Sequence, residues 1–271
     1  MAFLSIALPV SITIAACVAL LAFCDVAFRA SRPAGVSHEL NPWQPPMIRA
    51  AELFAWARNT ASRLATDLLT RRRDAHAVAE LAREIRSGAA HAMQQSPDGR
   101  RQEWTSDGKC FAMICLTPPE AIEIGEFIRR TQRAPDVQSI AGRASENSRR
   151  AERLDRADYR RAAIRCPLLS DNGRCMVQGV EPLQCRAGCP LGGDESLMAA
   201  NHTATVPTVD THAGSVALGI EQGMLEGIEA TGLDGALCEF NGALAVVLNT
   251  PDAAEKWIHG DRIFEKCQPV E

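Results

Sequence analysis

Between Cys166 and Cys189 the chain shows no apolar periodicity, yet it carries five Gly or Pro and four cysteines. A stretch with neither the helical nor the strand period has no face to bury. Its order is therefore expected to come from something other than a hydrophobic core. Two more cysteines precede it. The spacing is Cys110-x4-Cys115, an insertion of 50 residues, then Cys166-x8-Cys175-x9-Cys185-x3-Cys189. Thiolates are soft donors that suit zinc or iron, and four of them satisfy a tetrahedral zinc. Gly173 and Gly188 permit tight turns next to Cys175 and Cys189. Arg174 and Arg186 stand beside two of the thiols, where their charge would offset that of a four-thiolate site. No Cys-x-x-Cys knuckle is present, so the spacing leaves two alternatives open: unrelated buried cysteines, and disulfides if the chain lies in an oxidising compartment.

The compartment is read from the other end of the chain. Ala2 to Cys24 is an uncharged run of 23 residues. As a helix it spans roughly 34 Å, enough for a hydrocarbon core of about 30 Å. No Lys or Arg precedes Arg29, whereas Arg29, Arg32 and Arg49 follow the run. The positive-inside tendency then predicts a single span, with the body on the cytoplasmic side of the membrane. A cleaved leader, or translation starting at Met47, is the alternative. A cytoplasmic body keeps its thiols reduced, which favours metal over disulfides.

Composition points to helices. Aromatic residues make up only 5% of the chain, with a single Tyr, so the core rests on aliphatic residues that favour helices over strands. Net charge is −4, which argues against a nucleic-acid partner. The charge is uneven: Arg129 to Arg165 holds eleven Arg against five acids, and Pro190 to Glu271 three basic residues against thirteen acids. The basic stretch reads as a solvated helix beside an acidic domain, or as a face for an anionic partner or the membrane surface.

The organisation follows. Residues 1–28 are the expected transmembrane anchor and 29–47 a Pro-rich linker. Residues 48–103 form a helical segment, and 104–271 a cysteine-rich metal-binding domain. In the helical segment Ala51, Phe54, Leu64, Leu68, Val78, Leu81 and Ile85 mark an apolar face over one or two helices, which Arg71-Arg72-Arg73 interrupts. Thr117-Pro118-Pro119-Glu120 predicts a capping box with Pro at the first helical position. Ala121, Ile124, Gly125 and Ile128 continue that helix at helical spacing. A short strand is expected near Cys115. Ser148 to Arg165 reads as an Arg-rich helix. Val216 to Ala230 reads as another, with Ile220, Met224, Leu225 and Ile228 inward, and Thr250-Pro251-Asp252 opens a last one carrying Trp257 and Ile258. The fold class is thus mainly α: an N-terminal transmembrane helix, then a helical domain with an irregular cysteine-rich centre. His202 and His212 read as solvent-facing and serve only as reserve ligands. No phosphate-binding or dinucleotide-binding glycine motif occurs.

Cys166-Pro-Leu-Leu-Ser-Asp-Asn-Gly-Arg-Cys175, with Pro182-Leu-Gln-Cys185-Arg186 after it, resembles the second half of the CxxCxxCC, or YkgJ-like, family of zinc- or iron-chelating domains. Cys110, followed by Leu116-Thr-Pro-Pro-Glu-Ala121, is similar to the end of that family's first half. Glu239-Phe-Asn241 and Trp257-Ile-His-Gly260 are similar to the tail of longer members. Lys109 stands where the family has a cysteine, the earlier cysteines of its cluster are absent, and Glu181 replaces an Arg. The resemblance implies Cys110, Cys166, Cys175 and Cys185 as primary ligands and Cys115 and Cys189 as substitutes. It favours a single zinc or iron over an iron–sulfur cluster. It also implies a second functional reading, a metal-dependent protein-modifying enzyme, since some members are called flagellin lysine methylases. The third reading is a membrane protein whose metal site has decayed. No protein partner is identified.

Overall fold

The computed structural model describes residues 50–94, 113–154, 156–187 and 212–267. The expected anchor and linker, Cys110, Cys189 and His202 lie outside the described residues. Among the described residues no helix is long and apolar enough to cross a membrane.

The domain is mainly helical. The first expected segment forms two helices, α1 (Ala50–Arg71) and α2 (Ala75–Gln94). The chain breaks at Arg72 and Arg73, and Asp74 then restarts it by accepting the Ala77 amide at 2.8 Å. Val78, Leu81 and Ile85 are buried as expected. On α1 the buried line is instead Leu53, Ala57, Ala61, Ala65 and Leu69, while Phe54, Leu64 and Leu68 are half-buried beside it. The cause is the partner helix. The long helix α7 (His212–Ala230) presents Gly219, Gly223 and Gly227 to α1. Two helices that approach this closely put their smallest residues at the contact.

β1 (Cys115–Leu116) pairs antiparallel with β2 (Cys238–Glu239), Cys115 opposite Glu239 and Leu116 opposite Cys238. After β1 comes α3 (Pro118–Thr131), opened by the Thr117–Glu120 capping box. α4 (Ala134–Ala151) follows. The expected Arg-rich helix over Ser148 to Arg165 is not continuous. α4 ends at Ala151, α5 (Arg156–Arg161) is separate, and Ala163 takes a left-handed φ of 48°. Arg150 donates to the Ala162 carbonyl at 3.1 Å and Arg143 to the Pro167 carbonyl at 3.0 Å. These bonds hold the returning chain alongside α4. Two of the basic residues thus serve as clasps for the segment that leads into Cys166.

The chain then enters α6 (Leu183–Arg186), and later, after α7 and β2, α8 (Phe240–Asn249) and α9 (Ala253–Ile258). A 3-10 turn at Glu265–Cys267 ends the described chain. α7 packs on α1 and α2, and α8 on α3 and α4. Trp257 and Ile258 on α9 are fully buried, and the Trp257 indole donates to the Asp234 carbonyl at 3.0 Å.

Candidate metal centre

The segment from Cys166 to Cys185 is ordered by two means that its lack of period conceals. Leu168, Val177 and Leu183 are buried in the common core as isolated anchors. Between the first two, the backbone folds into a tight turn. Leu169 and Cys175 form an antiparallel bridge, the Met176 amide donates to the Leu168 carbonyl at 2.9 Å, and Gly173 sits at φ 78°. A side chain rarely adopts that φ, so the glycine expected to permit a turn before Cys175 does so. The expectation that a hydrophobic core has no part in ordering this stretch is corrected: anchors spaced by turns bury well without any period.

A polar strut fixes the Cys185 end. Glu120 is buried at the start of α3. One carboxylate oxygen accepts from the Thr117 amide at 2.9 Å and the Thr117 hydroxyl at 2.8 Å, and the other accepts from the Leu183 amide at 2.9 Å. Desolvation holds its pKa above the usual glutamate value, partly offset by these donors. Gln184 accepts from the Cys115 amide at 3.0 Å and donates to the buried Glu221 of α7 at 3.0 Å. The four-residue helix carrying Cys185 is therefore tied to α3, β1 and α7 at once.

Cys166, Cys175 and Cys185 line one cavity of about 30 Å³, together with Tyr159, Asn241, Glu181 and apolar residues that include Ile114, Leu168 and Phe240. That is room for an ion or about two waters, and far below the volume of an organic-ligand pocket. Glu181 pairs with Arg186 at 2.8 Å, so the Arg expected to offset thiolate charge is engaged by a carboxylate at the cavity's edge. None of the six described cysteines is in a disulfide. Among the described residues, no group of three or more His, Cys, Asp or Glu side chains is gathered as a ready metal-binding cluster. The three cysteines line the cavity without being gathered into such a cluster. The donors fit a soft cation in kind.

Among the described residues, the remaining cysteines and His212 do not line this cavity. Cys115 is buried in β1, close to Cys238, which is also close to Cys267. Burial pushes the Cys238 thiol well up and the Cys267 thiol up to about 11. His212 bonds the Ala92 carbonyl at 2.8 Å and ties α7 to α2.

Behind the cavity lies a buried network. Asn147 on α4 donates to the Arg165 carbonyl at 2.8 Å and to Asn241 Oδ1 at 3.1 Å. Asn241 Nδ2 donates to the Tyr159 hydroxyl at 2.8 Å and to Glu239 at 2.7 Å. Glu239 also accepts the Gly242 amide at 2.8 Å, capping α8. Desolvation raises the pKa of Glu239, and burial followed by the nearby Glu239 charge raises that of Tyr159. Tyr159 was not marked by spacing, but as the chain's single Tyr in an aromatic-poor sequence it was visible. Glu120 was visible as a cap, although not as a tether of the Cys185 helix.

No protein-family model matches the chain, and neither does any curated protein or any solved structure.

Proposed function

We propose that this is a membrane-anchored protein that binds zinc or iron through cysteine thiolates: Cys166, Cys175 and Cys185 from the cavity and Cys110 from the preceding segment, with Cys189 as a substitute. Residues 1–28 would be the single-pass anchor in the cytoplasmic membrane, with the thiol-bearing body on the cytoplasmic, reducing side. One observation carries the metal reading. Cys166, Cys175 and Cys185, which stand in a loop, a β-bridge and a short helix, line one small cavity. A soft cation bound there would cross-link parts of the chain separated by more than 50 residues. Structural zinc supplies roughly 10–16 kcal/mol in small peptides, which exceeds the loop-closure entropy of such a span. Binding would draw these thiols together and tighten the segment.

The test is a Cys→Ser series on the full chain, with bound metal and protease sensitivity measured together. Cys175→Ser and Cys185→Ser should lose metal and expose the stretch between Cys166 and Cys189 to cleavage, whereas Cys238→Ser should retain metal. Full metal content and full resistance in the first two variants would refute the reading.

A further inference from the structure

Tyr159 lines the same cavity as Cys166, Cys175 and Cys185. It is 3% exposed, so its hydroxyl is withdrawn from bulk water and needs partners inside the fold. The Asn241 amide donates to it. That bond occupies a lone pair of the hydroxyl oxygen and leaves the phenolic proton to be given away. Asn241 is itself held by Asn147 and by Glu239, so the phenol is aimed by a chain of buried bonds anchored on α4 and β2. Cys166 lines the same small cavity as the phenol. A fixed O–H donor beside thiols in a small cavity has one evident use, which is to stabilise sulfur that carries negative charge.

We propose that Tyr159 is a positioning residue for the thiolate site: its hydroxyl, oriented by Asn241, donates a hydrogen bond to the thiolate sulfur at the Cys166 wall of the cavity when the ion is bound. This rests on the metal-binding reading above. Hydrogen bonds to ligating sulfur tune affinity and electronic character, and loss of such a partner typically costs about 10–100-fold in affinity.

Because the chain contains one Tyr, biosynthetic incorporation of 3-fluorotyrosine places a single fluorine label at Tyr159 without any substitution. The full chain, kept anaerobic, is titrated with Zn(II) while the 19F resonance is followed. In parallel, Tyr159→Phe is titrated with Zn(II) against a chelator, and with Co(II) while the cobalt–thiolate charge-transfer band is recorded. We expect the resonance to move in step with zinc binding. Tyr159→Phe should bind zinc about tenfold more weakly and shift the cobalt band, a signature that a purely structural ring would not move. Zinc binding that leaves the resonance still, or a Tyr159→Phe variant with unchanged affinity and band, overturns this inference while leaving the metal reading intact. A wild-type chain that takes up no zinc or cobalt overturns both. If Tyr159→Phe does not fold, the fluorine titration of the wild-type sequence decides alone.

Discussion

Gly223→Ala should destabilise the domain by about 2 kcal/mol, and the geometry of the α1–α7 seam supplies the reasoning. A Cβ at position 223 would fall 2.8 Å from the carbonyl carbon of Arg58 and 2.9 Å from its Cα, and closer still to its carbonyl oxygen. Ordinary contact begins near 3.4 Å. The atoms struck are backbone, so no rotamer change relieves the clash, and the seam has to open by about 0.6 Å at the carbonyl carbon and by more at its oxygen. A gap of that size forfeits roughly a quarter to a half of each dispersion contact along the seam. The seam is long, since Gly219 meets Ala57 and the Phe54 carbonyl, and Gly227 meets Ala65 and the Ser62 carbonyl. Overpacking costs about 1–3 kcal/mol, here near the upper end, while replacing glycine by alanine inside a helix returns about 1 kcal/mol. The net, about 2 kcal/mol, corresponds to a fall of roughly 4–8 °C in melting temperature. Gly142 on α4 is the control. It is exposed and a Cβ there meets nothing within 4 Å, so Gly142→Ala should gain about 1 kcal/mol from helix propensity alone. Thermal unfolding of both variants by circular dichroism gives the answer. Gly223→Ala melting at or above the wild type would show that α1 and α7 do not meet at their backbones.

The buried carboxylate at the Cys185 tether predicts a pH effect of definite sign. Burial holds the Glu120 pKa above its usual value, so the folded state keeps a proton that the unfolded chain releases. The stability linked to this group is complete below the usual glutamate range and declines as pH rises through the raised value. The wild type minus Glu120→Gln stability difference should therefore fall with rising pH in denaturant titrations, and a flat difference would contradict the burial. As to topology, a reporter active only in the periplasm, fused after Glu271, should stay silent. A strong signal would reverse the orientation and weaken the case for reduced thiols.

Much of the helical plan is legible in residue order because helices are local. The Arg71–Arg73 break, the Thr117–Glu120 start, the helix over Val216 to Ala230 and the one opened by Thr250-Pro251-Asp252 all follow from caps, breakers and period, which act within a few residues. The family resemblance singled out Cys166, Cys175 and Cys185 together with Cys110, and these three line one cavity. What only the tertiary structure decided depends on partners distant in sequence. Ala57, Ala61 and Ala65 form the buried line of α1, rather than Phe54, Leu64 and Leu68, because three glycines some 160 residues later allow the backbones to touch. The basic run breaks after Ala151 because Arg143 and Arg150 bind carbonyls of the returning chain. Cys115 lies beside Cys238 rather than in the cavity lining because β1 pairs with β2, a contact between residues more than 120 apart that no local signal encodes. Tyr159, Asn241 and Glu239 become one network for the same reason: a hydrogen bond is specified by where two segments meet, and that is set by packing of the whole domain rather than by either segment's own sequence.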